Sequence, residues 1–465
     1  MEPSHADTAR CKVTLRVGPG RDLAWMARLR AYGALCRARS HSRSRFPPRK
    51  HAGCGSGGRI ARWRRGGVHL TLVAQALPHA RSGAARRVSM DRTKMQLDLE
   101  ISTLCGQLLV GGFAGAEPPA RFLAELSAGR RGGAILFRRN LPDLEATARL
   151  CQAIADAAPP DLPPFLGVDQ EGGRVTRLPK PFLTLPPARA LGELGDADLV
   201  HRAARAVGVE LRALGFNLDF APVLDVDSNP QNPVIGDRSF GRDPEAVSER
   251  AVAFLRGLQD EGVLACGKHF PGHGDTDKDS HFDLPRIAHG RPRLDRVELP
   301  PFRAAAAAGL ASMMSAHVVV EALDPGAPAT LSRAVCTGLL REEIGYEGVL
   351  FSDDMEMGAI AARYPIEEAV VQAIAAGCDA VLVCKDEDAQ DRAHAALVAR
   401  AERDGRFRDR CVEAAARGLR ARRSCPPRPL ALEAMRAVVG GPASRALGDE
   451  LAARAARATL QGTRP

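Results

Sequence analysis

The stretch Lys268–Pro285, KHFPGHGDTDKDSHFDLP, holds three histidines (His269, His273, His281) and four aspartates (Asp275, Asp277, Asp279, Asp283). Metal ligation, proton transfer and a solvated charged turn all use such residues. His269, His273, Asp275 and His281 are of ligand type. An HxxxH spacing across a Pro-Gly turn, however, is not the i, i+4 face of one helix, and neither HExxH nor paired cysteines accompany it, so no metal is assigned. A solvated turn leaves Lys268 and His269 unexplained, because they close the apolar run VLACGKHF, whose end should point into the mouth of the fold. The triplet Asp279-Ser280-His281 has a more specific use. In an extended chain its outer side chains project to one side, so a carboxylate can hydrogen-bond an imidazole. That contact favours the imidazolium and fixes which ring nitrogen exchanges a proton, giving a group that serves as acid in one step and base in the next.

A second carboxylate source is FSDDM, 351–355. A carboxylate at a strand terminus is placed to attack an electrophilic carbon or to stabilise a developing cation. Asp353 and Asp354 are neighbours, so in a regular strand only one faces the site, and spacing does not say which. Capping of the following helix is the plain structural alternative.

These residues need a scaffold that brings separate strand ends together. From Met95 onward, short apolar runs alternate with helical periods: GGAILF (132–137), PFLGVD (164–169), FNLDFAPVLDV (216–226), VLACGKHF (263–270), ASMMSAHVVV (311–320), GVLFSDDM (348–355) and DAVLVC (379–384), with QLLVGGF (107–113) as an eighth strand. Between the first two of these runs, 143–158 places Leu144, Ala148, Cys151, Ile154 and Ala155 on one helical face, with Asp143 as N-cap. A further helix is expected over 365–377, with Pro365 at its start and Gly377 past its end. Strands buried on both faces and alternating with helices form a parallel sheet. GVD, HFPGHGD, SAH and FSDD each follow the apolar part of a different strand, and polar groups converging from many strand ends predict an α/β fold of the (β/α)8 barrel type. The glycine-rich phosphate loop of a dinucleotide-binding sheet is absent.

Residues 1–94 carry 21 Lys/Arg against 4 Asp/Glu, whereas the other 371 carry 44 against 51. The formal net charge of +10 therefore belongs to the first fifth of the chain, and the remaining, folded part is mildly acidic, which removes the case for nucleic-acid binding. The Arg/Gly/Ser/Pro-rich segment 41–67 lacks any sustained period, so 1–94 is expected to be a disordered extension, with 69–77 its one candidate for local structure; translation from Met90 or Met95 is the favoured reading. The 11 cysteines show no CxxC spacing, no apolar run reaches the length of a membrane span, and the first thirty residues lack a signal-type apolar core. A reducing, cytoplasmic location and no membrane partner are expected. Aromatic content is 4%, with two Trp and three Tyr, too few for a long stacking groove. A small pocket fits better than a long cleft.

GVDQEGGRVTRL (167–178), NLDFAPVLDVD (217–227), IGDRSFG (235–241), KHFPGHGDTDKDSHFDLP (268–285) and FSDDMEMGAI (351–360) occur in this order, and in them the chain resembles the bacterial β-N-acetylglucosaminidases of glycoside hydrolase family 3 that act in cell-wall recycling. The resemblance spans roughly 100–385. It implies Asp353 as nucleophile, His281 as acid/base with Asp279 as its partner, and sugar-binding roles for Asp169, Arg177, Arg238, Lys268 and His269. It implies hydrolysis with retention, no cofactor, and a small sugar substrate, N-acetylglucosamine β-linked to 1,6-anhydro-N-acetylmuramic acid with or without peptide. A bacterial cytoplasmic monomer is expected, with one catalytic domain over 95–465. His273 and Asp275 are expected to form the loop and Arg174 to make a structural ion pair. A family 3 β-glucosidase, a metallohydrolase built on the histidines and a non-enzymatic sugar-binding barrel are the alternatives; the first usually carries a further domain for which the residues after Cys384 are too few.

Overall fold

A computed structural model describes residues 98–462 except 195, 277, 281 and 282, together with two strands at 59–65 and 68–74. Those two strands pair antiparallel within the unit 1–93, and the second covers most of the stretch singled out for local structure. The remainder of 1–94 lies outside the described residues.

The unit from Lys94 onward is built on eight parallel strands closed into a barrel. In chain order they are β1 (Leu109–Gly111), β2 (Gly133–Leu136), β3 (Phe165–Val168), β4 (Leu218–Asp219), β5 (Leu264–Phe270), β6 (Ser312–Ser315), β7 (Val349–Asp354) and β8 (Ala380–Val383). Each pairs with its sequence neighbour, and β8 pairs with β1. All eight expected strands are therefore present, and the barrel architecture follows as read. The Leu144–Ala157 helix is capped by Asp143, whose carboxylate accepts the Ala146 N–H at 2.7 Å. The Ile366–Ala376 helix starts after Pro365 and ends at Gly377.

Strands buried on both faces produce two cores. Outside the barrel, the helices bury a continuous aliphatic layer against the strands. Inside it, Val110, Ile135, Phe165, Leu218, Phe220, Phe351 and Leu382 fill the lumen. Phe351 makes edge contacts with both Phe165 and Phe220, at ring separations of 5.1 and 5.5 Å. The amino-terminal end of the barrel is plugged by Arg422 of the Gly405–Ser424 helix. Its guanidinium is fully buried 4.8 Å from the Phe165 ring centroid, donates to the Gly132 carbonyl and to Gln107, and is pushed down to about 9 by burial. With that end closed and the middle packed with side chains, only the carboxyl-terminal mouth is left to hold a ligand.

Candidate active site

At that mouth the strand ends surround a pocket of about 200 Å³. Asp169, Glu171 and Arg177 enter from the segment after β3, Arg238 from a short turn after β4, Lys268 and His269 from the end of β5, and Asp353 and Asp354 from the end of β7. Five expected sugar-binding residues and the expected nucleophile thus line one cavity.

The cationic and anionic groups form a buried chain. Lys268 Nζ lies 2.7 Å from Asp169 Oδ1 and 2.7 Å from Glu171 Oε1. Arg238 grips Glu171 through both oxygens, at 2.8 and 2.9 Å, and Arg177 lies 3.6 Å from Asp169. Burial alone would raise the Glu171 carboxyl, but Arg238 and Lys268 overcome it and hold the group well below the usual carboxylate range. Burial likewise works against the Lys268 ammonium, and Asp169 and Glu171 raise it in spite of that. Both partners stay charged because each is desolvated only in the presence of the other.

His269 is fixed from behind. Its Nδ1 lies 2.7 Å from Asp225 Oδ2, and the other Asp225 oxygen accepts the His273 N–H at 2.7 Å. Asp225 is fully buried, a condition that would raise its carboxyl, yet His269 brings it below its ordinary range. The next turn is set by glycine: a Cβ on Gly274 would fall 1.7 Å from the Val226 carbonyl oxygen, so only glycine lets the β5 loop cross the β4 segment. His273 does form the loop, as expected. Its imidazole bridges the Thr276 hydroxyl at 2.7 Å and the Ser280 hydroxyl at 3.0 Å, and burial pushes it down to about 4, so at neutral pH it is an uncharged spacer. Asp275 turns away to His289 and Ser228. The expected ion pair of Arg174 is also present, to Asp237 at 3.1 Å.

Ser280 lines the pocket, and its carbonyl accepts the Ala359 N–H at 3.2 Å, tying the loop to the segment that follows β7. Asp279 directly precedes it. His281 lies outside the described residues. His269 and His273 hold Asp225, Thr276 and Ser280, and among the described residues no group of three His, Cys, Asp or Glu side chains is arranged to hold a metal.

The two aspartates of FSDDM depart from the sequence expectation, since both line the pocket. The pairing of β7 with β8 shifts register between Phe351 and Asp354, and such a bulge breaks the alternation that would have sent one of them outward. Their environments then separate them. Burial would raise Asp353, but His317 and His269 bring it below the ordinary carboxylate value, leaving an anion facing the cavity. Asp354 is pushed up to about 7 by burial, while its Oδ1 accepts the Glu356 and Cys384 N–H groups.

Sequence reasoning missed Glu171, Asp225 and His317 as site residues. All three sit within quoted motifs or strand ends, GVDQE, LDVD and SAH. Nothing local set Glu171 and Asp225 apart from other acidic loop residues; His317, closing the SAH run, carried the mark of a polar side chain at a strand end.

A closed parallel barrel with carboxylates and cations lining one pocket at its carboxyl-terminal mouth is the layout of a barrel enzyme, and a carboxylate held below its ordinary range there suits glycoside hydrolysis. Residues 101–418 match the profile of the glycosyl hydrolase family 3 N terminal domain. A β-hexosaminidase of Chromobacterium violaceum is 41% identical over 294 residues, covering 62% of this chain and 80% of that protein. One of Nitrosomonas eutropha is 43% identical over 267 residues, covering 56% and 75%. Among solved structures, a family 3 β-N-acetylglucosaminidase from a Paenibacillus species superposes with a TM-score of 0.73 at 41% identity, covering 77% of this chain and 69% of that one. NagZ from Neisseria gonorrhoeae, in complex with N-trifluoroacetyl-D-glucosamine, gives 0.63 at 34% identity, covering 75% and 98%. The chain belongs to glycosyl hydrolase family 3. Within the family its place is with the β-hexosaminidases of the NagZ kind.

Proposed function

We propose that the chain is a retaining, exo-acting β-N-acetylglucosaminidase that removes one terminal β-linked N-acetylglucosamine from cell-wall muropeptide fragments in the bacterial cytoplasm. Asp353 attacks the anomeric carbon while His281, paired with Asp279, protonates the departing glycosidic oxygen. Water, deprotonated by His281, then releases the sugar from the covalent intermediate. Asp169, Arg177, Arg238, Lys268 and His269 hold the sugar hydroxyls, with Glu171 and Asp225 holding those side chains in turn. The catalytic domain runs over 95–465, and no cofactor enters the reaction.

The observation that carries this reading is Asp353 on the wall of a pocket of about 200 Å³ that also includes Ser280, the middle residue of the Asp-Ser-His triplet, with His317 and His269 holding the Asp353 carboxyl below its ordinary range against burial. A nucleophile must be ionised, and the acid must come from a segment able to reach the same bond. The eight described cysteines are all free and buried, which suits a reducing compartment. The test is hydrolysis of aryl β-N-acetylglucosaminide beside aryl β-glucoside, with proton NMR of the first-formed sugar. Release of the β-anomer of N-acetylglucosamine is expected, and Asp353→Ala should reduce it by at least 10³-fold, in the range seen when catalytic groups are removed. First-formed α-anomer would overturn retention, and undiminished turnover in the variant would overturn the nucleophile. Turnover of GlcNAc-1,6-anhydroMurNAc with and without peptide tests the substrate.

A further inference from the structure

Arg177, Arg238, Lys268 and His269 line the pocket from the β3, β4 and β5 segments. The ends of β6, β7 and β8 differ. They bring Met314, Met357, Leu382 and Cys384 into the wall, and with them one polar side chain besides the proposed nucleophile, that of Asp354. Asp354 and this apolar patch are neighbours through the backbone: Asp354 pairs with Leu382 across β7 and β8, and the Cys384 N–H donates to Asp354 Oδ1 at 3.3 Å. The Glu356 N–H donates to the same oxygen at 3.1 Å. Both described hydrogen bonds to this side chain thus fall on Oδ1, so Oδ2 is the oxygen left to face the cavity and to carry a proton. The main chain of Asp354 is held as well, its N–H donating to Asp353 Oδ1 at 2.8 Å and its carbonyl accepting the Met357 N–H at 3.1 Å.

Among the described residues no basic side chain makes an ion pair with Asp354, and the carboxylates of Glu356 and Asp353 both oppose a further negative charge there. Burial is the larger influence and pushes this carboxyl up to about 7, while His317 and His269 bring Asp353 below its ordinary range. Neighbouring carboxyls in one pocket are thereby driven to opposite forms, one an anion and the other an acid. We infer that Asp354, with Met357, Leu382 and Cys384 beside it, receives the 2-acetamido group of the sugar, the protonated Oδ2 donating to the acetamide carbonyl and the apolar side chains covering the methyl group. The inference deepens the proposed function and rests on N-acetylglucosamine being the sugar bound. The chemistry of that sugar supports it. Its one methyl group and its one amide carbonyl both belong to the acetamido substituent, so a wall that joins apolar side chains to a single donor matches this substituent and no hydroxyl. The substituent also sits on the carbon next to the anomeric one, as Asp354 sits next to Asp353. A carbonyl engaged by a donor is a poorer internal nucleophile, which leaves attack on the anomeric carbon to Asp353.

The test uses the full chain and N-acetylglucosamine labelled with carbon-13 at its acetamide carbonyl, because donation to a carbonyl moves its carbon signal downfield. At pH 6 the signal of the bound sugar in Asp354→Leu, which keeps the volume and removes the donor, should lie upfield of its position in the parent. The same position in both overturns the inference. Should the leucine variant fail to fold, Asp354→Asn takes its place: it keeps an acceptor for the Glu356 and Cys384 N–H groups and a donor toward the cavity, but it cannot ionise. The parent's signal should then move upfield as pH rises through about 7, while that of the asparagine variant stays in place. The other groups packed around Asp354, namely Asp353 and Glu356 on its own segment, His317 from the β6 end and Cys384 from β8, are the same in both proteins. Signals that respond to pH alike in parent and variant overturn the inference. If the parent releases N-acetylglucosamine from its aryl glycoside and the carbonyl signal is unmoved by the substitution, the inference alone fails. If the parent releases none, the proposed function fails and the inference falls with it.

Discussion

Asp225 and His269 form a closed unit, with Nδ1 and Oδ2 2.7 Å apart and the same carboxylate accepting the backbone N–H groups of His269 and His273. One buried carboxylate therefore sets both a pocket side chain and the first turn of the β5 loop. Asp225→Ala removes an acceptor from three donors at once. We expect a loss of about 3–5 kcal/mol in stability, the scale for breaking a buried charged pair, together with a kcat/KM lower by two orders of magnitude or more. Chemical denaturation and steady-state kinetics check it. An intact stability with a normal KM would show that the loop holds its own shape.

Glu171 predicts an acid limit. Its carboxyl is held below the usual range in the fold by Arg238 and Lys268, so it binds a proton more weakly in the folded than in the unfolded chain. A depressed folded value contributes stability that is present above the unfolded value, near pH 4.5, and is lost as pH falls through the folded value. Glu171→Gln should therefore be destabilised at pH 7, with two cations left facing an amide, and its melting temperature should fall less steeply than the parent's between pH 5 and pH 3. Parallel curves for parent and variant would remove Glu171 from the ion chain.

Most of the barrel could be read from the chain because strands buried on both faces leave short apolar runs that no surface element imitates, and three of the runs, GVD, KHF and FSDD, ended in polar residues found at the pocket. Asp143 and Pro365 were equally readable, since caps are local chemistry. What could not be read depended on two strands at once. The register shift in β7 that turns Asp353 and Asp354 to the same cavity is a relation between β7 and β8, and no feature of FSDD alone announces it. Glu171 and Asp225 look like any acidic loop residue until β5 brings Lys268 and His269 against them. His273 was separable from His269 only by its partners: both lie in one motif, but one ring faces a carboxylate and the other two hydroxyls.

The His273–Ser280 contact makes a separate prediction. Ser280 is held at both ends, through its hydroxyl by His273 at 3.0 Å and through its carbonyl by Ala359 at 3.2 Å, and it sits between the proposed acid/base pair Asp279 and His281. Ser280→Ala removes the first tie alone. Catalysis requiring a leaving-group proton should suffer most, so turnover of disaccharide substrates should fall about tenfold or more while activated aryl substrates change little. Equal losses on both would assign the contact to general stability instead of to placement of the acid.

Asp219 gives the opposite sign from Glu171. It is fully buried at the end of β4, its Oδ1 accepts the Gln170 N–H at 2.9 Å, and its Oδ2 has no hydrogen-bond partner. Burial pushes this carboxyl up to about 8, with the neighbouring Asp169 and Glu171 adding to the rise and Lys268 opposing it. A raised folded value means that the folded chain prefers the protonated form. The corresponding stability is present below the unfolded value, near pH 4, and is lost as pH rises through about 8. Asp219→Asn keeps the acceptor for Gln170 and cannot ionise. Relative to the parent, the variant should gain on the order of a few kcal/mol in stability between pH 6 and pH 9, since each pH unit of proton release from one group is worth about 1.4 kcal/mol. Melting curves at the two pH values decide it. A difference between parent and variant that does not change with pH would mean that Asp219 is already ionised at pH 6, its charge balanced by Lys268 across the floor of the pocket.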